Sequence, residues 1–177
     1  MKKGQVLSVD IIIALLGFMG IIVFLIWGWQ TTSVKLSAYD QSQDLYTLAY
    51  FASESLVQTS GVPLNWSSQS SPSRSTISSI GLQNGSYISM QKIQSLANLN
   101  SSYYTQIKEV LGILGPNYDI QIDYYFDNGT AFVKNSALTF GQMYSSGSVV
   151  SISRLFVLDN ASSTVGRMQV FVSGGLS

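Results

Sequence analysis

From Ile11 to Trp29 the chain runs nineteen residues without a charge or a strongly polar side chain. At a rise of about 1.5 Å per residue that stretch nearly crosses a hydrocarbon core of about 30 Å, the length of a transmembrane helix. A secretory apolar segment is shorter, about 7–15 residues, and leads into a small-residue cleavage site. Here the run closes on Trp27-Gly28-Trp29-Gln30, the pattern of an interfacial aromatic belt. Lys2 and Lys3 precede the span, and only Lys35 follows closely, with Asp40 and Asp44 behind it. The positive-inside rule therefore places the N-terminus in the cytoplasm and the rest of the chain outside.

Asn65, Asn84, Asn100, Asn128 and Asn160 each begin an Asn-x-Ser/Thr triplet without proline. Five such triplets, mostly between predicted elements, favour an exposed and glycosylatable surface, although serine and asparagine are also simply abundant in this chain. Charged residues make up only 10% of the chain, and nine basic groups balance nine acidic ones. That balance leaves no basic stripe for nucleic acid. With no cysteine there are neither disulfides nor thiolate metal sites, and with no histidine the usual general base and zinc ligand are missing. A non-enzymatic chain without metal or cofactor is the expectation.

No proline or glycine interrupts Val34–Thr59, and Val34, Ala38, Leu45, Leu48, Ala49, Ala52, Leu56 and Val57 recur at helical spacing. One helix of about fifty residues is expected, roughly 80 Å long, ending before Gly61 and Pro63. Two helices hinged near Thr31 are the alternative. Residues 67–79 are serine-rich and read as a surface loop. An Asn84-Gly85 turn follows, then a short helix over Ser89–Ala97 with Ile93 and Leu96 inward. A second, capped at Asn100 or Ser101, carries Tyr104, Ile107, Val110 and Leu111 on one side.

The period then falls to two. Tyr118, Ile120, Ile122, Tyr124 and Phe126 alternate with Asp119, Gln121, Asp123 and Tyr125, which predicts a half-buried strand. Asp127-Asn128-Gly129 predicts a hairpin into Ala131–Lys134. Further strands are expected at Val149–Leu158 and Thr164–Val172. The fold class is α+β, a long N-terminal helix carrying a small domain of short helices and an antiparallel sheet. The amphipathic half of the helix is the natural cover for the sheet. Asp119, Asp123 and Asp127 are conceivable as a weak calcium site, with a solvated strand face the plainer reading. Arg154 and Arg167 are expected to face solvent or to pair with Asp159 or Asp123. The Tyr103-Tyr104 and Tyr124-Tyr125 pairs suit either a sugar-binding patch or half-buried aromatic positions.

Lys3-Gly4-Gln5, followed by Ser8, Asp10 and the apolar run, resembles the class III signal peptide of archaeal type IV pilin-like proteins. Gly61-Val62-Pro63-Leu64-Asn65-Trp66, Ile80-Gly81-Leu82 and Lys92 resemble a pattern of archaeal minor-pilin domains. The resemblance implies a leader, residues 1–4, removed by a membrane prepilin peptidase that reads Lys2, Lys3, Gly4 and Gln5. It also implies a long helix over 5–60 with its span at about 11–29, and an extracytoplasmic α+β domain over 61–177. The partners implied are other pilin subunits, an assembly ATPase and a membrane platform protein, with the membrane as host before assembly into a surface filament. Asp10 would pair with the freed amino terminus of a neighbouring subunit, although it also fits the cytoplasmic edge of an ordinary signal anchor. It falls at the sixth mature position, one beyond the family's usual fifth. An unprocessed, membrane-anchored binding protein or adhesin is the second reading, and a tethered carboxylate enzyme a distant third.

Overall fold

Helix α1, Lys3–Gln58, passes through Thr31–Ser33 without a break. The threonines bond back into the helix: the hydroxyl of Thr31 donates to the carbonyl of Trp27, and that of Thr32 to Gly28, both at 2.9 Å. The hinge is therefore not realised. The computed structural model describes residues 3–69, 73, 75–143, 147–159 and 164–174. They divide between two compact units, Met1–Asp40 and Gln41–Ser177. In the first, every residue from Val9 to Trp27 is exposed.

In the second unit the remainder of α1 buries one stripe. Leu45, Ala49, Ala52 and Leu56 are wholly buried, and Leu48 and Val57 pack beside them. Steps of four, three and four put these residues on one face. The expected stripe reached back to Val34, but Val34 is 70% exposed because it lies on the uncovered helical surface of the first unit. The side chain of Ala38 lies outside the described residues. The stripe packs on an antiparallel sheet of β3 (Tyr118–Asp127), β4 (Phe132–Lys134), β5 (Phe140–Gly141), β6 (Ser148–Val157) and β7 (Val165–Gly174). Strand order is β4-β3-β7-β6, with β5 also on β3. Ile122 lies opposite Val170, and Val170 opposite Ile152. The even-numbered residues Ile120, Ile122, Tyr124, Met168, Val170 and Val172 thus form the buried face against α1. Fully burying one such aliphatic side chain contributes about 2 kcal/mol.

A small hairpin, β1 (Gln83–Asn84) and β2 (Tyr87–Ile88), turns at Gly85, whose φ of 63° suits glycine. Helices α2 (Met90–Asn98) and α3 (Asn100–Val110) follow, with Ile93, Leu96 and Ile107 buried. Several expectations are corrected. Asn100 does not cap α3 through its side chain; its Oδ1 instead accepts the N–H of Gly141 at 2.8 Å, tying α3 to β5. The serine-rich stretch is not all surface, since Ile77 is fully buried and belongs to the core.

Asp119 and Asp123 are not on a solvated face. Both are buried, and each has its own partners. Asp119 accepts the hydroxyl of Tyr104 at 2.7 Å and lies 3.9 Å from the Lys108 ammonium. Asp123 pairs with Lys134 at 2.6 Å and accepts from Thr139 and Gln121. Asp127 accepts the Gly129 N–H within the turn. The three carboxylates therefore do not converge, and no group of three metal-ligating side chains occurs among the described residues. Neither arginine behaves as expected. Arg154 reaches α1, where it pairs with Glu54 at 2.8 Å, contacts Ser53 and lies over the ring of Tyr50. The Arg167 guanidinium lies 4.6 Å from the centre of the Tyr125 ring and 5.2 Å from that of Phe132.

Candidate functional site

Two sets of residues drawn from the sequence can be followed into the structure. The first is the apolar helical surface. Ile11, Leu16, Phe18, Val23, Phe24 and Trp29 are all more than half exposed, and no atom lies within 4 Å of where a Cβ would sit on Gly17, Gly20 or Gly28. The mean hydropathy of its most apolar window reaches 2.9, so the helix is long and apolar enough to cross a membrane. Asp10 is exposed at the start of this surface. Lys3, Gly4 and Gln5 lie within α1, but their side chains, like the whole of Lys2, fall outside the described residues.

The second set surrounds the C-terminal end of α1. A helix end leaves carbonyls without intrahelical donors, and here the chain returns to supply them. Leu82 N–H donates to Leu56 O at 2.8 Å and Gln83 N–H to Thr59 O at 3.0 Å. The Lys92 ammonium donates to Ser60 O and Gln83 O at 2.6 and 3.0 Å, and partial burial holds its pKa below the usual lysine value. Trp66 is wholly buried and donates its indole N–H to Gly81 O at 2.9 Å. Neither glycine of this clasp has room for a side chain. A Cβ on Gly61 would meet the Trp66 ring at 2.4 Å, and one on Gly81 would meet Thr59 O at 2.1 Å. Residues scattered from Gly61 to Lys92 in the resemblance thus converge on one structural clasp.

The sequon asparagines are unequal. Asn65 and Asn128 are exposed, and the Oδ1 of Asn128 accepts from Thr130 N, Thr130 Oγ1 and Ala131 N in the β3–β4 turn, which leaves its Nδ2 outward. Asn84 is exposed, but its Nδ2 donates to Asp159. Asn100 is half-buried beneath Gly141. Asn160 lies outside the described residues. Asn65, Asn84, Asn100 and Asn128 lie on separate elements, before the 3₁₀ turn at Trp66, in β1, in α3 and in the β3–β4 turn.

Of the tyrosine pairs, Tyr103, Tyr104 and Tyr125 are half-buried. Tyr124 is wholly buried, and burial drives its hydroxyl pKa well above the usual value. Tyr104 is raised too, by burial first and then by its bond to Asp119. What sequence reasoning missed is the neutralised Arg154–Glu54 pair, for which the chain offers no local signal across 100 residues.

The fold and these features define an α+β chain with a long apolar N-terminal helix of a kind compatible with a single-pass membrane anchor. Compared with family models, with curated proteins and with solved structures, the chain matches none of them.

Proposed function

We propose that this protein is a pilin-like structural subunit, of the minor class, of an archaeal type IV pilus-like surface filament. The observation that carries the reading is the surface of α1 from Val9 to Trp27, apolar and exposed on every side. Such a surface requires cover by lipid or by other helices. The Lys3-Gly4-Gln5 leader pattern and the lone acid at Asp10 fit both covers in succession, lipid before assembly and neighbouring helices after it. In the filament the helix packs in the core and the α+β domain faces the medium. The exposed sequons at Asn65 and Asn128 accord with that orientation.

Intact-mass measurement on protein from membranes and from sheared surface material tests the proposal. The expected chain starts at Gln5 and retains Ile11–Trp29. Retention of Met1 would overturn the filament reading in favour of a permanently anchored binding protein, and a cut after Trp29 would overturn both.

A further inference from the structure

Where the end of α1 meets the β1–β2 hairpin and the end of β6, the surface opens into a cleft of about 400 Å³. That volume lies within the roughly 300–1,000 Å³ of small-molecule sites. Gln58 comes from α1, Gln83, Ser86 and Tyr87 from the hairpin, and Leu155 and Val157 from β6. Beneath them Ile88 and Phe156 belong to the core. The walls are held from both sides. Asp159 N–H donates to Ile88 O at 2.9 Å, and Ile88 bridges Leu158, which ties the hairpin to the end of β6. Lys92 donates to Gln83 O at 3.0 Å and to Ser60 O at 2.6 Å, and Leu82 N–H donates to Leu56 O, which ties the same hairpin to α1. The clasp on α1 thus also fixes the shape of the cleft, and a preformed site loses less entropy on binding.

The lining narrows the choice of ligand. Among the described residues none that lines the cleft is charged, so an ion would find no opposite charge in it. Among the described residues the side chains of Gln58, Gln83, Ser86 and Tyr87 make no hydrogen bond within the protein, whereas neighbouring Asn84 is tied to Asp159. Each amide offers both donors and an acceptor, and each hydroxyl offers one donor and two lone pairs. A wholly apolar ligand would bury these groups without partners, which is costly. Beside them stand apolar surfaces open to solvent: the Tyr87 ring is 46% exposed and Leu155 65%. The complement is a neutral molecule with hydroxyls around its rim and a C–H face, which describes a sugar ring.

We propose that this cleft binds a neutral saccharide, one sugar face lying on Tyr87, Leu155 and Val157 and the hydroxyls bonding to Gln58, Gln83 and Ser86. Tyr87 lies outside both tyrosine pairs of the sequence. The site does not rest on the filament reading, since a filament subunit and an anchored binding protein can both carry it.

The test uses the full-length protein in lauryldimethylamine oxide, a detergent without a sugar head group. Saturation-transfer NMR is recorded with maltose, cellobiose, lactose and chitobiose at millimolar concentration, with glucuronate and glucosamine as charged comparators. At least one neutral disaccharide should give a saturable signal stronger than either charged sugar. Tyr87→Ala should weaken its binding about tenfold through loss of the aromatic platform. Gln58→Ala, at an exposed helix end, should weaken it several-fold, and Tyr46→Ala, exposed on α1 outside the cleft, should leave it unchanged. Gln58→Ala decides the matter by itself if Tyr87→Ala loses its thermal transition. No saturable signal from any neutral disaccharide, a preference for the charged sugars, or binding that Gln58→Ala leaves intact would each overturn the proposal. So would a signal from the uncharged peptide acetyl-Ser-Val-Thr-Val-amide in place of the sugars, which would assign the cleft to an extended peptide.

Discussion

Two tyrosines show how differently one hydroxyl can be housed. That of Tyr104 gives a bond to Asp119 and takes one from Ile120 N–H. That of Tyr124 is buried with no hydrogen-bond partner among the described residues, its ring packed edge-on against Phe156. An unsatisfied buried hydroxyl costs about 1–3 kcal/mol. Tyr124→Phe should therefore raise stability by about 1 kcal/mol, while Tyr104→Phe should lower it by about the same amount, both read from denaturant midpoints. Both hydroxyls have pKa values raised above the ordinary tyrosine value of about 10. Above that pH the unfolded chain loses these protons while the folded chain keeps them. Their contribution is thus fully present below about pH 10 and is lost as pH rises beyond it. Stability should fall steeply in alkali, tyrosinate absorbance should show two of the ten tyrosines ionising only with unfolding, and Tyr124→Phe should flatten the fall. Unchanged alkaline slopes in that variant would refute the assignment.

At the scale of elements, the clasp on α1 makes the sharpest forecast. Gly81 sits where a Cβ would fall 2.1 Å from Thr59 O, a backbone atom that cannot swing aside. Gly81→Ala should cost about 3 kcal/mol in chemical unfolding, while Gly85→Ala, in open space but at a positive φ, should cost only about 1 kcal/mol. Equal costs would show that the close approach is not what fixes the glycine. The elements themselves were largely legible in the sequence. Periodicity gave α1, α2, α3, β3, β6 and β7, because a repeat of 3.6 or 2 records which side of an element meets the core. It could not record what covers the other side. Asp119 and Asp123 alternate as surface residues do, yet Tyr104, Lys108, Lys134 and Thr139 close over them from segments eleven to sixteen residues away. Two-residue β5 is too short to carry a period and exists through its pairing with Gln121 and Ile122. Of the candidate site, the apolar helix and the sequons could be read directly. The convergence of Gly61, Trp66, Gly81 and Lys92 could not, since it depends on a tertiary return of the chain.

For the molecule as a whole, the filament reading raises the question of what would drive an apolar helix to leave lipid for other helices. Lipid tails are as apolar as leucine, so burial alone gives no preference, and association depends on close packing and polar contacts. Gly17 and Gly20 leave the helix surface open to close approach, and Asp10 is the one acid before the span. On the filament reading, the charge of Asp10 would meet an amino terminus freed at Gln5 of a neighbouring subunit. An acid within a span costs a few kcal/mol at the helix centre, about 3 kcal/mol on insertion scales and less at the edge. Asp10→Asn should accordingly insert as well as the wild type or slightly better. On the filament reading it should nonetheless be depleted several-fold from sheared surface filaments relative to the membrane fraction, because the pairing that sets axial register is gone. The ratio of the two fractions, measured by quantitative immunoblot for variant and wild type, decides the matter. A ratio equal to wild type would make Asp10 an ordinary flanking residue and remove the electrostatic step from assembly, whereas loss from both fractions would place its role in insertion instead.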